Sequence, residues 1–266
     1  MSDGIVCEER LRREIVEYAR RTWSRGWVAN HDGNLSARLG EGRYLATPTS
    51  VSKGDVSPES LIVVDGERTV LQGTRRAFSE FKIHAAAYAA RPDIGVVVHA
   101  HPPHATAFAV SGAELPHPFL AEAVVTLGPT IPRVPFGLPG EAALEEGLRA
   151  ALQQADVVLL DQHGLLAVGG CFEQAWLRME LVEHLATIAQ RAVALGGVRQ
   201  LPPERVRALS KKGRPASSPS FGAAPEGRGA PAAGARRTGS SGGDPPGGAR
   251  PNLHALVSDA LRRHRD

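Results

Sequence analysis

Between residues 8 and 25, Leu11, Ile15, Val16 and Ala19 recur every three or four positions among charged residues, the spacing of an amphipathic helix that Gly26 ends. The period then shortens. Residues 35–39, 43–46 and 61–64 are β-rich stretches separated by Gly, Asp and Pro turn signals, and residues 79–90 return to helical spacing. Asp93-Ile94-Gly95 leads into Val96-Val97-Val98, which predicts a short buried strand delivering the chain to His99. Pro102 and Pro103 stop it, and a helix follows over 104–110. Residues 157–160 and 165–168 predict two further buried strands, and 172–195 a long helix with apolar residues every three or four positions. The order of elements predicts an α/β domain over residues 1–202.

Beyond that point the composition changes. Residues 213–250 contain 10 Gly and 6 Pro with almost no large apolar side chain, too little burial to offset the entropy of ordering them. Residues 203–250 therefore read as a disordered, basic, Gly/Pro-rich linker. Residues 203–266 hold 12 Lys+Arg against 5 Asp+Glu, a balance of +7, so the overall +3 leaves about −4 for the first 202 residues. A basic excess confined to a low-complexity tail, with no interleaved aromatics, argues against nucleic-acid binding. After the linker, Asn252 is a good N-cap, and Leu253, Leu256, Val257, Ala260 and Leu261 share one helical face. A helix as short as 251–266 needs a partner surface.

The 42% hydrophobic content allows a sizeable core. Cys7 and Cys171 form no paired framework, which points to a reducing compartment. The first ten residues are charged and lack a long apolar run, so neither a signal peptide nor a membrane span is expected and the location is read as cytoplasmic.

His99 and His101 are two residues apart at a strand end, so both side chains leave the same face and can converge on one ion. Imidazole suits zinc, and a catalytic zinc takes about three protein ligands with a position open. An HxH pair alone is equally at home as two polar strand-end residues. His163, in Gln162-His163-Gly164, follows another apolar strand, where a lone histidine can be structural, and Glu80 offers a carboxylate early in the helix before His99. His84, four residues after Glu80 on the same helix face, either contacts the site or is a satisfied core histidine.

Over about residues 8–200 these motifs resemble the class II aldolase/adducin family, most closely its L-fuculose-phosphate aldolase branch. The resemblance rests on Gly33-Asn34-Leu35-Ser36, Thr47-Pro48-Thr49, Ser79-Glu80 with His84, the HAH pair 19 residues after Glu80, and Gln162-His163-Gly164. It implies a three-layer α/β/α fold with a central, largely antiparallel sheet, assembled as a homotetramer. It also implies zinc held by His99, His101 and His163, with Glu80 as fourth ligand and acid/base, and a phosphate pocket at Gly33, Asn34, Thr49, Ser50 and Ser79. The implied reaction is cleavage of a ketose 1-phosphate such as L-fuculose 1-phosphate to dihydroxyacetone phosphate and lactaldehyde. Decarboxylase, dehydratase and 4-epimerase reactions, or a non-catalytic adducin-like module, stay open.

The chain departs from the family in three places. Ser50 stands where the aldolases usually have glycine, and Phe78 where many have a phosphate-binding serine. No tyrosine follows the HxH pair, since Tyr18, Tyr44 and Tyr88 are the only three, and Glu122 is a candidate substitute proton donor. The 251–266 helix on its linker resembles peptides that recruit enzymes to bacterial microcompartment shells; a tail without a partner is the alternative.

Overall fold

A computed structural model describes residues 2–40 and 42–213. Helix α1 (Ser2–Ser24) precedes a meander of antiparallel neighbours, β1 (Asn34–Gly40), β2 (Arg43–Ala46), β3 (Ile62–Asp65) and β4 (Val70–Gln72). Helix α2 (Phe81–Ala90) leads into β5 (Val96–Ala100), α3 (Pro103–Ser111), α4 (Ala121–Leu127) and the two-residue β6 (Arg133–Val134). Then come α5 (Ala142–Leu152), β7 (Val157–Leu160), β8 (Gly164–Gly169), α6 (Phe172–Ala194) and α7 (Pro203–Ser210). Among the described residues the strands form one sheet in the order β4-β3-β2-β1-β5-β8-β7-β6, antiparallel except where β6 meets β7.

Side chains alternate across this sheet and divide the core in two. On one face Leu35, Ala37, Val96, Val98, Leu165 and Ala167 pack with Ile15 and Tyr18 of α1, Phe108 of α3, and Phe172, Trp176 and Met179 of α6. On the other, Ala46, Ile62, Val97, Val158, Leu166 and Val168 pack with Phe81, Ile83 and Tyr88 of α2 and Leu144, Leu148 and Leu152 of α5. This is the three-layer α/β/α arrangement with a largely antiparallel sheet. Strands buried on both faces explain why Val96-Val97-Val98 and residues 157–160 read as continuous apolar runs.

Two expectations change. Residues 203–210, assigned to the linker, fold as α7, which packs near α4; Pro203 supplies the pre-set first turn of the helix. None of its side chains is fully buried, and Val206 and Leu209, half-buried and three apart, make too short an apolar stripe to announce it. Helix α5 is also additional, although Leu144, Leu148 and Leu152 recur at helical spacing. Residues 214–250 of the linker and the 251–266 helix lie outside the described residues.

Candidate functional site

His99 lies in the central strand β5 and is almost wholly buried. Its Nδ1–H donates to the Leu165 carbonyl of β8 (3.1 Å), so the Nε2 lone pair faces the end of the sheet. His101 is anchored just past the strand by its N–H to Trp27 O (2.9 Å). His163 sits in the tight turn between β7 and β8, where Gln162 adopts φ 53° and donates its N–H to Ala109 O (3.1 Å). Gly164 is required beside it, because a Cβ there would stand 2.6 Å from both Ala100 O and His101 Cδ2. Across the sheet Gly33, at φ 69°, passes so close to β5 that a Cβ would lie 3.0 Å from His99 O.

One ligand nitrogen from each of His99, His101 and His163 falls within 4.8 Å of the others. His99 Nε2 and His101 Nε2 are 3.1 Å apart, close to the roughly 3.3 Å separating two imidazole nitrogens at ~2.0–2.1 Å from a tetrahedral zinc. Glu80, at the N-terminus of α2, does not cap its helix. Its Oε1 is 2.8 Å from His163 Nε2, its Oε2 is 3.8 Å from His99 Nε2, and that same Oε2 accepts a hydrogen bond from Asn34 Nδ2 (2.5 Å). Beyond the cluster, the half-exposed Asp32 has Oδ2 4.0 Å from His101 Nδ1, on the side where an acidic group commonly orients a ligating imidazole.

Burial drives His99 well below the ordinary histidine range and lowers His101, with the neighbouring His163 adding to the latter. For Glu80, burial acts upward, but the His163 hydrogen bond, the facing histidines and the Asn34 amide outweigh it and hold the carboxyl well below the usual range. Neutral His99 and His101 beside an ionised Glu80 are in the protonation states that bind a divalent cation, and the three-histidine donor set fits one.

The residues expected to bind phosphate are brought to neighbouring loops. Gly33 and Asn34 open β1; Thr49 and Ser50 follow β2; a bridge between Pro48 and Ala77, with Thr49 N–H donating to Arg76 O (3.0 Å), brings that loop alongside the segment that precedes Ser79. Ser50 adopts φ 59°, the left-handed conformation in which glycine is at ease, which accounts physically for the family's preference there. Ser50 and Ser79 are exposed, whereas Asn34 is buried with its amide committed to Glu80. Phe78 is buried, its ring edge-on to His84 at 5.2 Å, and faces the core instead of an anion. Tyr18, Tyr44 and Tyr88 are all core residues, and Glu122 lies exposed in the first turn of α4.

Sequence reasoning passed over Lys53. It is 1% exposed, and its Nζ donates to His31 O (2.9 Å) and Val51 O (3.0 Å), tying together the loops that carry Gly33 and Ser50. Burial pushes its pKa down to about 8, against the pull of Asp32 and Glu80. Lysine is a surface residue by default, so only its position between two turn motifs could have drawn attention to it.

Comparison with known proteins identifies the family and the fold. The profile of the class II aldolase and adducin N-terminal domain matches residues 13–190. The chain is 30% identical over 202 residues to the 5-methylthioribulose-1-phosphate/5-deoxyribulose-1-phosphate aldolase of Rhodospirillum rubrum, covering 76% of this chain and 90% of that one. It is 32% identical over 189 residues to the L-fuculose phosphate aldolase of Escherichia coli strain K12, covering 70% and 85%. The crystal structure of YgbL, a putative aldolase/epimerase/decarboxylase from Escherichia coli, superposes with a TM-score of 0.69 at 28% identity over 77% of this chain and 99% of that chain. With its three-layer fold, its histidine cluster and a matched segment spanning most of the described residues, the chain belongs to the class II aldolase and adducin N-terminal domain family.

Proposed function

We infer that this protein is a zinc-dependent aldolase that cleaves a ketose 1-phosphate, with L-fuculose 1-phosphate and 5-deoxyribulose 1-phosphate the first substrates to test, to dihydroxyacetone phosphate and a short aldehyde. The observation that carries this reading is the convergence of His99, His101 and His163 on one point, with the Glu80 carboxylate against them. A divalent cation held by the three histidines and Glu80 would supply the Lewis acid that stabilises the enediolate charge left by carbon–carbon cleavage. Cleavage sends the proton of the C4 hydroxyl to a base and adds one to the enediolate carbon; Glu80, an ionised carboxylate at the edge of the cluster, is placed to take up a proton and hand it to that carbon, which becomes the hydroxymethyl group of dihydroxyacetone phosphate. The phosphate is assigned to the loops of Gly33 and Asn34, Thr49 and Ser50, and Ser79, where small residues let backbone and hydroxyl donors approach an anion.

Metal analysis of the purified chain together with coupled detection of dihydroxyacetone phosphate from a panel of ketose phosphates tests this reading. Bound divalent metal and product from at least one substrate are expected. Glu80→Gln should lower kcat about a hundredfold to ten-thousandfold, the usual range for a general acid/base. A metal-free protein with no turnover would favour a non-catalytic adducin-like module instead. Carbon dioxide release from a 3-oxo acid phosphate, which leaves the same kind of enediolate, would assign the site to a decarboxylase.

A cytoplasmic homotetramer is the assembly proposed, and light scattering should return four times the 28.2 kDa chain mass. The 251–266 segment is proposed as a shell-targeting peptide. Fused to a fluorescent protein it should form puncta in shell-producing cells, and diffuse signal there would refute the assignment.

A further inference from the structure

Glu80 is the last member of a buried hydrogen-bonded chain that runs away from the histidine cluster between α2 and β1. Asn34 Nδ2 lies 2.5 Å from Glu80 Oε2; His84 Nε2 lies 2.6 Å from Asn34 Oδ1; Ser36 Oγ lies 2.7 Å from His84 Nδ1; Tyr88 Oη lies 2.9 Å from Ser36 Oγ. Asn34, Ser36, His84 and Tyr88 are each at most 4% exposed. Two periodicities make the chain possible. Glu80, His84 and Tyr88 are spaced by four along a helix, about 6 Å per step, and Asn34 and Ser36 by two along a strand, about 6.6 Å. Helix and strand therefore stay in register over the whole run.

The chemistry of each link fixes the direction of the next. An ionised carboxylate only accepts, so Asn34 presents its NH₂ to Glu80 and its carbonyl to His84. That carbonyl also only accepts, so His84 carries its proton on Nε2. A neutral imidazole then has a lone pair on Nδ1, which accepts a hydrogen bond from the Ser36 hydroxyl, and the Ser36 oxygen in turn accepts from Tyr88. Phe78 and Phe81 pack on His84 with ring centroids 5.2 and 6.2 Å away, which closes the chain to water at its middle. Every donor points toward Glu80.

We propose that Asn34, His84, Ser36 and Tyr88 are positioning residues for Glu80, a one-way hydrogen-bond chain that fixes which carboxylate oxygen faces the histidine cluster by locking the amide orientation of Asn34 and the Nε2–H tautomer of His84. The proposal rests on the reading of Glu80 as a metal ligand and proton carrier, and it gives the side chain of Asn34 a task beside the phosphate contact assigned to its loop. With the donor on His84 lost, the Asn34 amide is free to turn its oxygen toward Glu80, and the carboxylate loses its aim.

The test compares His84→Gln, whose amide nitrogen can stand where Nε2 stands, with His84→Leu, which fills space without a donor, and with Ser36→Ala, which frees the imidazole to change tautomer. Zinc affinity of the purified full-length chain is measured by chelator competition, and kcat, KM and thermal midpoint are measured alongside. His84→Leu and Ser36→Ala should bind zinc about tenfold or more less tightly, the lower end of the roughly 10–100-fold that an orienting partner of a ligand contributes. Their kcat should fall by a similar factor with KM within about twofold, while His84→Gln stays within about threefold of the parent. Unchanged zinc affinity and kcat in Ser36→Ala, with only a lower thermal midpoint, would overturn the proposal by showing a purely structural network. A His84→Gln loss as large as that of His84→Leu would overturn it too; if His84→Leu fails to fold, the Ser36→Ala result decides. Because zinc affinity is read without substrate, failure of the parent to cleave any ketose phosphate would count against the aldolase reading and leave this test intact.

Discussion

At the scale of single residues, Lys53 sets the sharpest balance between stability and use. Its ammonium is surrounded by protein and held by two carbonyls, and the fall of its pKa from 10.5 to about 8 corresponds to about 3 kcal/mol spent on keeping the charge buried. Below pH 8 both folded and unfolded chains carry the proton, and that cost is present in full. Between pH 8 and 10.5 the unfolded chain still holds the proton while the folded chain has released it, so this residue makes the protein more stable as pH rises. Urea unfolding of the parent and of Lys53→Met across that window should show the parent gaining on the variant by up to about 1.4 kcal/mol per pH unit. Parallel pH profiles would refute the assignment. His99, His101, His163 and Glu80 were legible in the sequence because each is a reactive residue type in a recognisable motif. Lys53, Ser36 and Tyr88 were not, because their roles depend on which backbone or side chain faces them across the sheet. For His84 the sequence left site contact and core packing open, and the structure buries it in the core with both ring nitrogens hydrogen-bonded, one residue removed from Glu80 through Asn34.

At the scale of elements, the site depends on how closely β5 and β8 approach. Gly164 opens β8 opposite Ala100 and His101, and the space for a Cβ is already taken at 2.6 Å by a backbone oxygen that cannot step aside. Gly164→Ala should cost about 1–3 kcal/mol, as overpacking does, and displace His101 enough to weaken zinc binding. A variant with parental unfolding midpoint and zinc affinity would show the strands to be more compliant than this contact implies. Elements with a strong internal pattern were legible: residues 43–46 and 157–160 are strands with the bounds expected, and the apolar run before His99 is the middle of the sheet. Those without one were not. Strand β6 has only two residues, β4 is largely exposed, and α7 buries no side chain, so each is formed by its neighbours more than by its own sequence. Phe78 shows the same limit at the site. Its substitution for the family's serine reads as a lost phosphate contact, yet the ring is part of the core and walls off His84.

For the whole molecule, the order of the sheet places strand β5 between β1 and β8, so residue 34 pairs with residue 99 and residue 99 with residue 166. The histidine cluster is therefore assembled from segments far apart along the chain, and no local hairpin brings it together. Closing such long loops costs entropy before any contact repays it, which makes these pairings late events when the chain folds. Uptake of the proposed zinc would thus serve as a clock for the last stage of refolding: with zinc present from the start, capture should coincide with the slowest major phase and lag behind the appearance of helix. Capture within the dead time of mixing, ahead of sheet formation, would show that the ligands gather before the fold does. In a cell, the nascent chain would stay unable to hold the proposed ion until the turn that carries His163, and β8 behind it, had been synthesised.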